Sequence, residues 1–212
     1  MKSLSLPQVC VLSFILAFCS LSYELIFAQI LTALFGLQIE QYNLVVSLFT
    51  FFLGTGALFY PKIESRFSQK EILCSIELIL FFIGGFAPFL IIFFPWKSLA
   101  VLIVALSGFF SGIELPFLMS LNRNQSSKIL GADYFGMFAA TIGIPFIFFQ
   151  YLGIMASSVF ISLINLCVLF IVIKNDSKRY TFIFSILLTM VIYFSNTINN
   201  AASNIYSGFY LE

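Results

Sequence analysis

The chain has 212 residues, of which 61% are hydrophobic and 9% charged, with 29 phenylalanines and a net charge of +1. Average soluble chains carry about 25% charged residues, so there are too few charges here to cover a water-exposed globule, and the near-zero balance leaves no electrostatic footprint for nucleic acid. Histidine is absent, which removes Ser-His-Asp, Cys-His and histidine–metal chemistry; no catalytic residue, metal centre or cofactor is predicted.

A membrane-crossing helix needs about 20 predominantly apolar residues. Seven segments qualify in chain order: 9–35, 42–60, 72–95, 98–121, 131–149, 151–173 and 180–196. The apolar run that opens the chain continues through Phe35 without a cleavage boundary, so it reads as a retained first span rather than a signal peptide. At roughly 1.5 Å per residue it measures about 40 Å, which predicts that it tilts, or breaks near its polar "SYE" centre. The third span carries Gly84, Gly85, Pro88 and Pro95 and is expected to kink, with Trp96 and Lys97 suited to an interface at its end. The polar stretches 61–71, 122–133 and 174–179 are connecting loops, and 197–212 is a short polar tail. Cys10, Cys19, Cys74 and Cys167 lie in apolar runs and form no CxxC, so they read as packing residues.

Sidedness follows from Lys and Arg. With the N-terminus cytoplasmic, nine of the ten basic residues fall inside and only Lys97 outside. The fold class is therefore all-α, a polytopic transmembrane helix bundle of about seven spans, with the N-terminus cytoplasmic and the C-terminus outside. A bacterial inner membrane suits the composition.

Ionisable groups inside a membrane are rare and default to functional candidates. Four acids fit that description: Glu24 in the first span, Glu77 in the third, Glu114 in the fourth and Asp133 at the start of the fifth. Glu77 and Glu114 lie about 10 Å below the cytoplasmic face and Glu24 roughly another 10 Å deeper, from the rise per residue. A cluster of Glu24, Glu114 and Asp133, assisted by Tyr23 and Tyr134, favours a cation; Glu77 is the weakest candidate because it lies near enough to the interface to reach it. The bland reading makes each acid interhelical glue, a contribution of about 0.6 kcal/mol. Gly108 and Gly112 form a GxxxG one turn before Glu114, and Gly54 and Gly136 offer similar close-packing surfaces. Pro116 and Pro145 free backbone carbonyls able to line a cavity.

Three ordered motifs, "LSYELIFAQILTALFG" (21–36), "GFFSGIELPFLMSL" (108–121) and "KILGADYFGMFAATIGIPF" (128–146), together with "FFLGTGALFYPKIESRF" (51–67), resemble the membrane region of the multipass spermidine synthase-like proteins, which fuse a transporter-like part to an aminopropyltransferase. The resemblance covers about residues 10–173. It implies a polyamine connection, and aminopropyltransferase activity in a soluble domain with a Rossmann-like site for decarboxylated S-adenosylmethionine. Two departures stand out. Gln29 occupies the place of an arginine that follows the first-span glutamate in the family. The chain also stops about where the soluble domain would begin, and no glycine-rich strand–turn–helix is present, so aminopropyl transfer is not expected of this chain alone.

Three functions remain open from the sequence. The first is binding or transport of an organic cation such as a polyamine through Glu24, Glu114 and Asp133. The second is a membrane anchor or assembly subunit whose surface docks a partner membrane or soluble protein. The third is a membrane-embedded enzyme using a carboxylate as base. The lipid bilayer is the expected surrounding in all three.

Overall fold

A computed structural model describes residues 5–173 of the chain. The expected seventh span (180–196) and the tail (197–212) lie outside the described residues, as do Lys2, Lys174, Lys178 and Arg179 of the charge count. The described residues form six helices and no strand: α1 (Leu6–Phe35), α2 (Gln38–Glu64), α3 (Gln69–Phe93), α4 (Lys97–Leu121), α5 (Ser126–Gly143, continued through Ile144–Phe148 and Phe149–Tyr151) and α6 (Gly153–Ile173). The first five are long and apolar enough to cross a membrane, and α6 is a largely apolar helix that carries buried Ser157, Ser158, Ser162 and Asn165.

Each boundary has a local cause. The turn between α1 and α2 is only two residues, and it works because Gly36 takes φ +66° while its N–H donates to the Thr32 carbonyl at 3.1 Å. Ser68 caps α3: its hydroxyl accepts from the Glu71 N–H at 3.3 Å, and its own N–H donates to Glu71 Oε2 at 2.9 Å. Gly153, at φ +74°, separates α5 from α6. The expected break in α1 does not occur. The helix runs unbroken through Tyr23 and Glu24, because neighbouring helices rather than a loop accommodate those polar groups. Pro88 and Pro116 also sit inside continuous helices. Pro145 does disturb its helix, which widens into a π turn over Ile144–Phe148; proline lacks an N–H, and its ring crowds the carbonyl four residues back.

α1 is the central helix, packed against all the others, while α2 and α5 are peripheral. Val9, Ile26, Phe27, Ile30 and Leu31 of α1 are fully buried. The outside of the bundle is apolar as well: Phe51 and Leu58 on α2, and Phe135, Phe138 and Phe146 on α5, are exposed. A bundle greasy on both its inside and its outside fits lipid rather than water as the surroundings.

Contacts fix the relative directions of the helices. Phe49, Leu53 and Tyr60 of α2 meet Gly108, Gly112 and Ser120 of α4 in that order, so these two run parallel. Ser13 and Phe14 of α1 meet Asp133 and Gly136 of α5, and Phe18 meets Phe148, again parallel. Successive helices therefore alternate in direction. The α2–α3 and α4–α5 connections fall at one face, tied by Tyr60 Oη donating to Ser120 Oγ at 2.7 Å and by an Arg123–Glu64 ion pair at 3.7 Å. The basic residues Lys62, Arg66, Lys70, Arg123 and Lys128 thus share one side, whereas Lys97 starts α4 at the other.

Glycine sets the closeness of the parallel pairs. A Cβ on Gly56 would collide with the Phe109 carbonyl, on Gly108 with that of Phe49, on Gly112 with that of Leu53, and on Gly136 with that of Phe14. Gly54, expected as a packing residue, faces open space instead; it lies two residues, and so about 200°, from Gly56 around the helix. Substituting Gly112→Ala or Gly56→Ala should therefore destabilise the bundle by about 1–3 kcal/mol through overpacking. Gly54→Ala should stay within roughly 0.5 kcal/mol of the parent. Thermal unfolding of the three variants in one detergent checks this.

Candidate functional site

Four of the buried polar residues, Ser13, Ser20, Ser22 and Glu24, lie along α1. Ser13 and Ser20 occupy one stripe, seven residues apart, and each holds an acid from another helix. Ser13 Oγ donates to Asp133 Oδ1 of α5 at 3.3 Å and also lies 3.2 Å from the Ile129 carbonyl. Ser20 Oγ donates to Glu114 Oε2 of α4 at 2.9 Å. The second oxygens, Asp133 Oδ2 and Glu114 Oε1, are buried and without a partner. Both acids are within electrostatic reach of one another.

Glu114 and Asp133 line a single cavity of about 160 Å³, walled by Leu16, Ala17 and Ser20 of α1, Leu53 and Ala57 of α2, Ser111 and Gly112 of α4, and Met137 of α5. That volume is well above what one water needs. Pro116 lies on the wall as expected, while Pro145 sits in the π turn away from it. The glycine contacts bear directly on this geometry. Gly112 presses on α2 two residues before Glu114, and Gly136 presses on α1 three residues after Asp133.

Glu77 of α3 is placed in the interior rather than toward an interface. It is fully buried, neither of its oxygens has a hydrogen-bond partner, and it lies within electrostatic reach of Glu114, Cys19 and Tyr23. Tyr23 is buried against Gly84, where a Cβ would strike its ring, and its hydroxyl also lacks a partner. Glu24 goes elsewhere. It is buried, but it lies outside the Glu114–Asp133 cavity, with Tyr42 of α2 as an electrostatic neighbour. Tyr134 is exposed on the outer face of α5, because adjacent residues of a helix point about 100° apart.

The three-acid cluster expected from the sequence therefore resolves into Glu114 and Asp133 sharing a cavity, Glu77 behind Glu114, and Glu24 apart. Glu114 and Asp133 each accept a hydrogen bond from a serine of α1, and neither oxygen of Glu77 has a hydrogen-bond partner among the described residues. Ser13, Ser20 and Ser111 were not anticipated, although the i, i+7 spacing of the first two is visible in the sequence. A larger cleft of about 420 Å³ lies at the opposite end of α1, lined by Gln29, Thr32, Gln38, Ile39, Tyr42 and Asn43. Among the described residues its lining has no charged side chain, so the smaller, acid-lined cavity is the stronger candidate site.

Fold and site together define a helical bundle with membrane-crossing dimensions and an acid-lined cavity. Comparison with known proteins adds a relation. The chain is 27% identical over 163 residues to a polyamine aminopropyltransferase of Leptospira interrogans, and 28% identical over 174 residues to one of Oceanobacillus iheyensis. It is 29% identical over 163 residues to one of Corynebacterium efficiens. These matches cover 71%, 75% and 69% of this chain, and 32%, 33% and 31% of the relatives. The chain thus spans about a third of the length of the curated relatives it matches. No family description and no solved structure matches it. The relation to spermidine synthase-like proteins expected from the motifs is supported at that level.

The hydrogen bonds and orphaned acids make a stability prediction. Ser20→Ala should cost about 1 kcal/mol or less, the usual range for a polar contact between membrane helices. Glu77→Leu should raise stability by on the order of 1 kcal/mol, since it removes a buried polar group that nothing satisfies. Paired unfolding curves of the two variants in the absence of added amines give the comparison.

Proposed function

We propose that this chain is the membrane-embedded part of a spermidine synthase-like protein, and that its Glu114–Asp133 cavity binds, or passes across the membrane, an organic cation such as a polyamine. The observation that carries the reading is the pair of buried carboxylates sharing one cavity, each with one oxygen that lacks a hydrogen-bond partner. An uncompensated charge in such a place is strongly unfavourable, so the site calls for a proton or a cation. An ammonium group supplies both positive charge and three N–H donors. The relatives are polyamine aminopropyltransferases, which makes a polyamine the natural choice. Aminopropyl transfer itself is assigned to the part of the relatives that this chain does not match.

The topology belongs to the same proposal. The face carrying Lys62, Arg66, Lys70, Arg123 and Lys128 is cytoplasmic, and the membrane is a bacterial inner membrane. A reporter inserted between Glu64 and Ser68 should signal only in the cytoplasm, and one inserted at Trp96 only outside. The reverse pattern would invert the assignment.

The competing reading is an anchor or assembly subunit that docks a partner protein. One observation favours it: Glu114 and Asp133 each already accept a serine hydrogen bond, as helix glue would. Spermidine binding to the purified chain in lipid nanodiscs separates the two. Spermidine should bind and raise the unfolding temperature, and Glu114→Gln should weaken binding at least tenfold. If the variant folds and binds as the parent does, the cavity is not the site. If spermidine does not bind the parent, the anchor reading stands.

A further inference from the structure

The interior contacts sort four of the helices into two pairs. α2 and α4 lie backbone to backbone at Gly56, Gly108 and Gly112, and are tied further by the Tyr60–Ser120 hydrogen bond at 2.7 Å and the Arg123–Glu64 ion pair at 3.7 Å. α1 and α5 lie backbone to backbone at Gly136, with Ser13 bonded to Asp133 at 3.3 Å and Phe18 packed against Phe148. The contacts of α1 with α2 and α4, and of α5 with α4, are less extensive. The acidic cavity lies in that seam and draws its lining from all four helices. Met119 of one pair and Met137 of the other both line it, and thioether chains repack readily. The hydrogen bond from Ser20 Oγ of α1 to Glu114 Oε2 of α4, at 2.9 Å, crosses the seam. So does the two-residue turn from α1 to α2, where Gly36 (φ +66°) and Leu37 (φ 49°) are successive left-handed residues. A leucine held in that region is strained, and such strain collects at switch positions.

We propose that α1–α5 and α2–α4 move as two rigid units about the Gly36–Leu37 turn, and that the Ser20–Glu114 hydrogen bond is the clasp that a bound cation undoes. The proposal rests on the cation reading above and adds how occupancy becomes motion. Sliding within a pair would drive side chains into the partner's backbone carbonyls, which the glycines now clear. The seam has no such barrier, and packed units of this kind shift whole rather than deform. An ammonium brings charge and three N–H donors to the Glu114 carboxylate, which the single Ser20 hydroxyl does not match. Asp133 travels with α1 and Glu114 with α4, so motion at the seam changes the separation of the two carboxylates. Affinity for a ligand held between them then differs between the two arrangements, as a ligand-driven shift requires. Ser20 is a positioning residue in this scheme.

The test measures distances between nitroxide labels by pulsed electron resonance, on the full chain in lipid nanodiscs with its cysteines replaced by alanine. Leu58→Cys with Ile142→Cys, both at exposed positions, spans the seam from α2 to α5, and Val11→Cys with Ile142→Cys stays within the α1–α5 pair. Saturating spermidine should shift the seam distance by about 2 Å or more, the scale of helix movement at a shifting interface, and leave the within-pair distance in place. Ser20→Ala should move the seam distance the same way with no amine added. In the chain with its cysteines intact, Ser20→Ala should bind spermidine on the order of threefold more tightly, because no hydroxyl has to be displaced; a merely structural serine would not tighten binding. If spermidine binds, yet neither it nor Ser20→Ala moves the seam, the rocking is wrong and the cation site survives. A within-pair distance that moves as far as the seam distance overturns the rigid pairs. If spermidine does not bind the parent, the cation reading fails and release by a ligand fails with it, whatever the seam does in Ser20→Ala.

Discussion

The site depends on how closely two pairs of parallel helices approach. α2 and α4 meet backbone to backbone through Gly56, Gly108 and Gly112, and α1 meets α5 through Gly136. In an apolar surround there is no water to expel from between helices, so association rests on van der Waals fit and on interhelical hydrogen bonds. The glycines supply the first and the α1 serines the second. Because Gly112 and Gly136 lie within a turn of Glu114 and Asp133, the contacts that hold the bundle also set where the two carboxylates point. Packing and polar geometry are one arrangement here.

The acids differ in how well their surroundings meet their needs. Asp133 and Glu114 each receive one hydroxyl and face a cavity. Glu77 receives nothing from the described residues and faces Glu114, Cys19 and Tyr23. Glu77 is thus the least satisfied of the buried acids, whereas Glu114 keeps a hydrogen bond and borders the cavity.

Much of the fold was legible because hydropathy reports a one-dimensional property. The run 98–121 becomes Lys97–Leu121, and 72–95 becomes Gln69–Phe93. Helix rotation is a different matter. Gly54 and Gly56 look alike in sequence, yet opposite faces of α2 separate contact from open space. Tyr134 adjoins Asp133 along the chain but turns outward, and Glu24 lies one turn from Ser20 but misses its cavity. The hydrophobic-all-round helices give no amphipathic stripe to set their phase. Only the polar residues mark the inward face, and the Ser13–Ser20 spacing was the available signal.

The wide turn at Pro145 has a consequence for the far half of α5. A π turn accommodates one surplus residue, and one residue corresponds to about 100° of rotation about the helix axis. The stripe that carries Asp133 and Gly136 inward would otherwise continue out of phase with the bundle. The surplus residue rephases it, so that Phe148 stacks between Phe18 and Phe160 at centroid distances of 6.1 and 5.5 Å. The helix thus has two inward faces, a polar one and an aromatic one, joined by a swivel at a single proline.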